Sequence, residues 1–166
     1  MMKNKKLTLF VFIVYLLLLN WLVLMKLLPS FDLLPHMRSL NLIPFRETLF
    51  INNKINFKDI IYNILAFVPL GVYLKIFFKK WPIWKMIVTG LIVSLSFETL
   101  QYLFAIGYSD ITDLITNTTG TFIGIGVYSL FDRCLQEKAV TVMNIIGLMI
   151  EILALILATL LFLFNS

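Results

Sequence analysis

Long apolar runs separated by short polar stretches dominate the chain. Five of these runs approach the ~20 residues that a helix needs to cross the hydrocarbon core of a bilayer. They are Leu7–Leu28, Ile60–Phe78, Met86–Ile106, Ile111–Phe131 and Val142–Phe164. The runs are too long for strands and lack strict alternation. The pattern therefore predicts an all-α fold, a polytopic transmembrane bundle of about five helices.

The uneven distribution of Lys and Arg residues predicts the orientation of the chain, because cytoplasmic loops are enriched in both. With the N-terminus in the cytoplasm, the inner side carries Lys3, Lys5, Lys6, Lys75, Lys79, Lys80, Lys85, Arg133 and Lys138, and the outer side carries Lys26, Arg38, Arg46, Lys54 and Lys58. We therefore expect the N-terminus inside, the C-terminus outside, and residues 29–59 as a long external loop.

Composition excludes the soluble classes of protein. Of the 166 residues, 60% are hydrophobic and 14% are charged, and the mean hydropathy is +0.95, whereas soluble domains carry about 25% charged residues. The net charge of +5 fits basic cytoplasmic loops, so we expect no nucleic-acid partner. We expect a single membrane domain over residues 1–166, in contact with membrane lipids, and a homo-oligomer remains open.

Metal-binding and reactive side chains are sparse. A single histidine, His36, and a single cysteine, Cys134, exclude a His/Cys metal site, and one cysteine forms no intramolecular disulfide. We interpret His36 as a solvated loop residue and Cys134 as a reduced thiol. The sequence contains no phosphate-binding glycine loop. We therefore expect neither a metal nor a cofactor.

Polar residues in the fourth run share one helical face. Asp113, Asn117, Gly120 and Gly124 are spaced i, i+4, i+7 and i+11, which places them on one side of a helix, and Asp110 lies near its entrance. An acid inside the membrane costs about 2.5–3.5 kcal/mol, so its presence points to function. The two glycines instead favour close helix packing.

The third run carries Glu98 and Gln101, which are three residues apart and therefore neighbours on a helix. The connection to the fourth run, about Gly107–Asp110, is short and predicts a tight antiparallel helical hairpin. In that hairpin Gln101 comes level with Asn117, and Glu98 comes level with Gly120. The polar faces of the two helices are then expected to meet.

The second run adds Asn63 near its outer end, and Pro69 and Gly71 further in, where a kink or local unwinding is expected. All of these polar groups fall in the outer half of the membrane. We therefore predict one polar pocket that opens outward, with Arg46 of the external loop as a counter-ion. The predicted binding residues are Arg46, Asn63, Glu98, Gln101, Asp110, Asp113 and Asn117, and the predicted helix-packing residues are Pro69, Gly71, Gly120 and Gly124.

Three main functions remain open for such a polar cluster, and a proton-coupled transporter is a weaker option because five helices are few unless the protein dimerises. It could bind a ligand, or it could catalyse a reaction with Glu98 and Asp113 as an acid–base pair. It could also be structural, since hydrogen bonds between membrane helices contribute about 0.6–2 kcal/mol each. No nucleophile or cofactor site accompanies the two acids, which favours binding over catalysis.

Four motifs, in order, resemble those of the VanZ-like family over residues 41–128. They are Asn41-Leu42-Ile43-Pro44-Phe45-Arg46, the segment Asn63–Gly71 with Phe67-Val68-Pro69, Ser96-Phe97-Glu98-Thr99-Leu100-Gln101, and Asp110-Ile111-Thr112-Asp113 followed by Asn117, Gly120 and Gly124. Members commonly carry an arginine just before the first acid of the last motif, where this chain has Tyr108. The extra C-terminal run at 142–164 lies outside the motifs.

The resemblance implies a multi-pass protein of the bacterial plasma membrane with a role at the cell envelope. The founding member of the family is associated with low-level resistance to teicoplanin, a glycopeptide antibiotic with a lipid tail, and many members occur outside resistance clusters. No settled enzymatic reaction comes with the family. We therefore expect a protein that binds an amphiphilic molecule, a lipid-linked wall precursor or a lipoglycopeptide, at the predicted pocket. Enzyme and structural partner subunit are the alternatives.

Overall fold

The computed structural model describes residues 5–24, 37–45, 50–51, 54–55 and 57–165. The helices are α1 (Lys5–Leu24), α2 (Lys58–Phe77), α3 (Ile83–Phe104), α4 (Ile111–Leu135) and α5 (Ala139–Asn165), with a 3₁₀ turn at Gln136–Lys138. The strands are β1 (Met37–Asn41), β2 (Phe50–Ile51), β3 (Lys54–Ile55) and β4 (Ile106–Asp110).

The predicted helical membrane protein is confirmed. Among the residues that the structure describes, four helical stretches are long and apolar enough to cross a membrane: α1, α2, α3 and the stretch Ile111–Leu160. That stretch has 50 residues and would be about 75 Å long if it were straight, more than twice the ~30 Å of the hydrocarbon core. It therefore holds two membrane lengths, and the predicted number of about five helices is approximate. Gln136, with a left-handed φ of 48°, separates α4 from α5.

The chain contains two compact units, residues 34–127 and residues 1–33 with 128–166. In the second of these, α1 packs against α5. Asn144 Nδ2 donates to Thr8 Oγ1 at 2.9 Å, near the N-terminal ends of both helices. An apolar groove of about 490 Å³ lies between their C-terminal halves, lined by Trp21 and Ala158 among others. The two helices therefore run parallel. Their orientation in the membrane stays a prediction.

In the unit of residues 34–127, α2 and α4 approach so closely that their backbones touch. A Cβ atom on Gly120 would overlap the main-chain oxygen of Ile64, and one on Gly124 would overlap that of Val68. A Cβ atom on Gly71 would likewise overlap the main-chain oxygen of Thr121. Small residues permit this kind of approach between membrane helices.

The tight turn predicted between the third and fourth helices is wrong. Residues Ile106–Asp110 form the extended strand β4, which pairs in parallel with β1 in a register that joins Met37 to Ile106 and Asn41 to Asp110. An extended residue rises about 3.3 Å, against 1.5 Å for a helical one. The strand therefore runs back alongside the end of α3, and α4 begins deeper than a turn would place it.

The local unwinding considered for the second run is also absent. Helix α2 continues from Lys58 to Phe77 through Pro69 and Gly71. Proline removes only one main-chain donor from a helix, and inside a bilayer unwound backbone would leave further polar groups without partners.

Candidate functional site

A cluster of hydrogen-bonded polar residues occupies the place where β1, β4 and the helices α2, α3 and α4 meet. We call it the polar cluster. Its members are Asn41, Asn63, Glu98, Ser109, Asp110, Thr112 and Asp113. Four of them, Asn63, Glu98, Asp110 and Asp113, are predicted binding residues.

The side chain of Glu98 accepts hydrogen bonds from the end of strand β4. Its Oε2 atom accepts hydrogen bonds from Ser109 Oγ at 3.0 Å and from the main-chain N–H of Asp110 at 2.9 Å. Ser109 Oγ also lies 2.8 Å from the main-chain oxygen of Glu98. The Glu98 side chain is only 7% exposed. Burial in low-dielectric surroundings strengthens such bonds, so Glu98 fixes where the strand ends and the helix begins.

Asp110 caps helix α4 and holds the loop that contains Asn41 and Phe45. Its Oδ1 atom accepts from the main-chain N–H of Thr112 at 2.8 Å, the geometry of an N-terminal cap. Its Oδ2 atom accepts from Asn41 Nδ2 at 3.2 Å. A second link joins the loop to the helix, because the N–H of Phe45 donates to Thr112 Oγ1 at 3.0 Å. The loop is therefore held to the start of α4 by two hydrogen bonds.

Asp113 joins α4 to α2. Asn63 Nδ2 donates to Asp113 Oδ1 at 2.7 Å, and both side chains are partly buried. Asp113 lies in the first turn of α4, where the N-terminal end of the helix dipole favours negative charge by about 0.3–1 kcal/mol. The same positive end faces Asp110 and Glu98. The N-terminal end of α4 thus stabilises negative charge in this cluster.

Asn117 has a different partner from the one that the helical hairpin predicts. Its Nδ2 atom donates to Ser94 Oγ at 2.9 Å rather than meeting Gln101. Ser94 lies four residues before Glu98, about 6 Å deeper along α3, because the extended strand shifts α4 inward. The Oδ1 atom of Asn117 accepts no hydrogen bond from the residues that the structure describes, and the side chain is 3% exposed.

Two predicted binding residues remain, Gln101 and Arg46. Gln101 is buried in α3 at 4% exposure. Arg46 lies outside the described residues, so its role as a counter-ion stays a prediction. Within the described part of the chain, no three His, Cys, Asp or Glu side chains are grouped so that they could hold a metal ion.

Four residues of this region carry hydrogen bonds that the sequence interpretation does not assign. They are Asn41, Ser94, Ser109 and Thr112. Asn41, Ser109 and Thr112 each stand in or beside a motif of the family resemblance, which was the available signal. Ser94 has no such signal, because its partner depends on how far α4 is shifted along α3.

Comparison with known proteins covers the whole of this site. A family profile described as VanZ/LLP1 matches residues 12–132, which include every member of the polar cluster. Protein VanZ of Enterococcus faecium is 39% identical over 150 residues, which cover 87% of this chain and 88% of that protein. No solved structure matches the chain.

Proposed function

Because the chain belongs to the VanZ/LLP1 family of membrane proteins, we propose that it protects the bacterial envelope against teicoplanin-type glycopeptides. In this proposal the protein lies in the plasma membrane and binds an amphiphilic molecule at the polar cluster. The molecule is a lipid-linked wall precursor or the lipoglycopeptide itself. The observation that carries the proposal is the convergence of three acids, Glu98, Asp110 and Asp113, at the start of one membrane helix.

The chemistry of the cluster suits a ligand rich in hydrogen-bond donors. Ionised carboxylates accept hydrogen bonds and donate none. Sugars and peptides present hydroxyl, amide and ammonium donors, and both kinds of proposed ligand contain them. Asp110 and Asp113 are only partly buried, so a ligand can approach them, whereas Glu98 is buried and positions the segment that carries Asp110.

Resistance in a susceptible Gram-positive host tests this proposal. The host expresses the wild-type chain, Glu98→Gln, Asp113→Asn, or the control Glu137→Gln, whose exposed acid lies in the 3₁₀ turn that follows the C-terminal end of α4. Membrane abundance is measured for each. We expect the wild type and Glu137→Gln to raise the teicoplanin concentration needed for inhibition, and the two cluster variants to lose that protection.

Two results would contradict the proposal in different ways. Full protection by Glu98→Gln and Asp113→Asn at equal abundance would show that resistance does not require the polar cluster. If the wild-type chain is abundant but gives no protection, teicoplanin resistance is rejected as its function. The membrane fold and the family are unaffected by that result.

A second candidate function, an intramembrane enzyme acting on an envelope lipid, is favoured by one contact. Ser109 Oγ lies 3.0 Å from Glu98 Oε2, and a hydroxyl beside a carboxylate is the minimum that an activated nucleophile requires. Against it, Ser109 is only 5% exposed. Purified protein incubated with extracted envelope lipids tests the idea. Turnover that Ser109→Ala abolishes would support catalysis, and no product across several lipid classes would reject it.

A further inference from the structure

The external loop exposes apolar side chains beside the polar cluster. Leu40, Leu42 and Ile43 are 58%, 64% and 50% exposed. They stand within four consecutive positions, on a backbone tied to Asp110 and Thr112 by hydrogen bonds. Contiguous exposed apolar surface on a fixed loop marks contact with a partner or with a membrane.

Strand pairing gives the depth of this loop. Ser109 is level with Glu98, because its Oγ atom lies 2.8 Å from the main-chain oxygen of Glu98. Leu40 pairs with Ser109 in the sheet, so Leu40 has the same depth. Glu98 precedes Phe104, the last residue of α3, by six residues, which corresponds to about 9 Å along the helix.

The end of α3 is a good marker for the membrane boundary. The helix has 22 residues and is therefore about 33 Å long, which matches the ~30 Å of the hydrocarbon core. Trp84, in its first turn, is of the type that marks the opposite boundary. The C-terminal end of α3 thus lies at one surface of the hydrocarbon core, and Leu40 lies about 9 Å inside it.

A second measurement agrees with this depth. Asn63 follows Lys58, the first residue of α2, by five residues, or about 7.5 Å along the helix. At that depth Asn63 bonds Asp113, in the first turn of α4. The first turn of α4, to which the loop is attached, therefore lies deeper in the membrane than the nearby ends of α2 and α3.

The loop backbone forms hydrogen bonds of the kind that a position inside the membrane requires. Non-helical backbone within a bilayer must satisfy its polar groups through protein contacts. Here β1 pairs with β4, and the N–H of Ile43 donates to Asn41 Oδ1 at 3.1 Å. The N–H of Phe45 donates to Thr112 Oγ1, and Pro44 has no N–H to satisfy.

We propose that residues 37–45 form a re-entrant loop that enters the leaflet at the C-terminal end of α3. Leu40, Leu42 and Ile43 contact lipid acyl chains there. The loop thereby opens the polar cluster sideways toward the lipid, so that a molecule held in this leaflet reaches Asp110 without crossing bulk water. The inference concerns position in the membrane and stands whether or not the protein confers resistance.

Labelling of single cysteines in the full-length protein in lipid vesicles tests the loop. Cys134 is the one native cysteine, so Cys134→Ser provides the background, into which Leu42→Cys is introduced. Asp59→Cys, in the exposed first turn of α2, is the water control. Leu95→Cys, 52% exposed on α3 one residue from the deep Ser94, is the lipid control. The probe is a charged, membrane-impermeant maleimide.

We expect Leu42→Cys to react as slowly as Leu95→Cys and at least ~10-fold more slowly than Asp59→Cys, since the reactive thiolate is disfavoured in apolar surroundings. All three must react at similar rates after solubilisation in SDS. Labelling of Leu42→Cys as fast as that of Asp59→Cys would place the loop in water and overturn the proposal.

A nitroxide attached at position 42 distinguishes lipid from protein cover. Frequent collisions with oxygen and few with a water-soluble nickel complex indicate acyl chains, and this is the expected result. Few collisions with either reagent would mean that protein, such as a second copy of the chain, covers the loop. That outcome would also overturn the proposal.

Discussion

The contact between α2 and α4 predicts a large effect from the smallest possible substitution, Gly120→Ala. The new Cβ atom would overlap the main-chain oxygen of Ile64 and lie 3.0 Å from its carbonyl carbon. Both atoms belong to the backbone of a continuous helix, so no side-chain rotation relieves the overlap. The two helices must separate, and overpacking of this kind costs about 1–3 kcal/mol.

Gly126→Ala is the matched control for this prediction. Gly126 lies on the same helix, and a Cβ atom built there meets nothing within 4 Å among the described residues. Both substitutions gain the same helix propensity, about 0.5–1 kcal/mol. The difference between the two variants therefore isolates the cost of the overlap with Ile64.

Thermal unfolding in detergent, followed by tryptophan fluorescence, measures this difference. For a chain of this size, 1 kcal/mol shifts the midpoint by about 2–4 °C, so Gly120→Ala should melt roughly 2–12 °C below Gly126→Ala. Equal midpoints for the two variants, at equal expression, would refute the close approach of α2 and α4.

Two further predictions concern single hydrogen bonds. A double-mutant cycle with Asn63→Ala and Asp113→Ala should give a coupling of about 0.6–1.7 kcal/mol in unfolding free energy, because the pair is bonded at 2.7 Å; additive effects would contradict that bond. Thr8→Val should destabilise the protein by about 1 kcal/mol, because it removes the acceptor of the buried Asn144 amide. Thr159→Val serves as its control, since the Thr159 hydroxyl is exposed and bonds its own helix; a similar loss in both variants would show that the inter-helix bond contributes nothing.

The helices were predictable from sequence because each one meets the same simple requirement for length and apolar character. A bilayer-spanning helix needs about 20 apolar residues, and the five runs meet that demand one after another. The helix ends differ from the predicted runs by a few residues: α3 begins at Ile83 rather than Met86, α4 ends at Leu135 rather than Phe131, and α5 begins at Ala139 rather than Val142.

The path between α3 and α4 was not predictable in the same way. Ile106–Asp110 becomes a strand only because β1, which ends 69 residues before Asp110 at Asn41, supplies a partner. Five residues carry no periodicity that distinguishes a strand from a turn. The contacts of Asn117 followed from this path, so the sequence indicated its burial and polar pairing but assigned the wrong partner.

The identity of the acids at the site was predictable on energetic grounds, but their roles were not. Glu98 and Asp113 stand out because charge inside a membrane is costly. The sequence could not reveal that Glu98 accepts the N–H of Asp110 or that Asp110 caps α4, because both bonds depend on the strand.

The parallel pairing of α1 with α5 has a consequence for how the protein is made. Thr8 and Asn144 are 136 positions apart, so α1 enters the membrane long before its partner exists. At 5–20 residues per second, the ribosome needs roughly 7–27 s to reach Asn144. Residues 34–127, whose contacts are closer in sequence, can assemble during that interval. Thr8 receives the Asn144 amide only after residues 34–127 have been made, so a chain that stops after α4 lacks the hydrogen bond that joins α1 to α5.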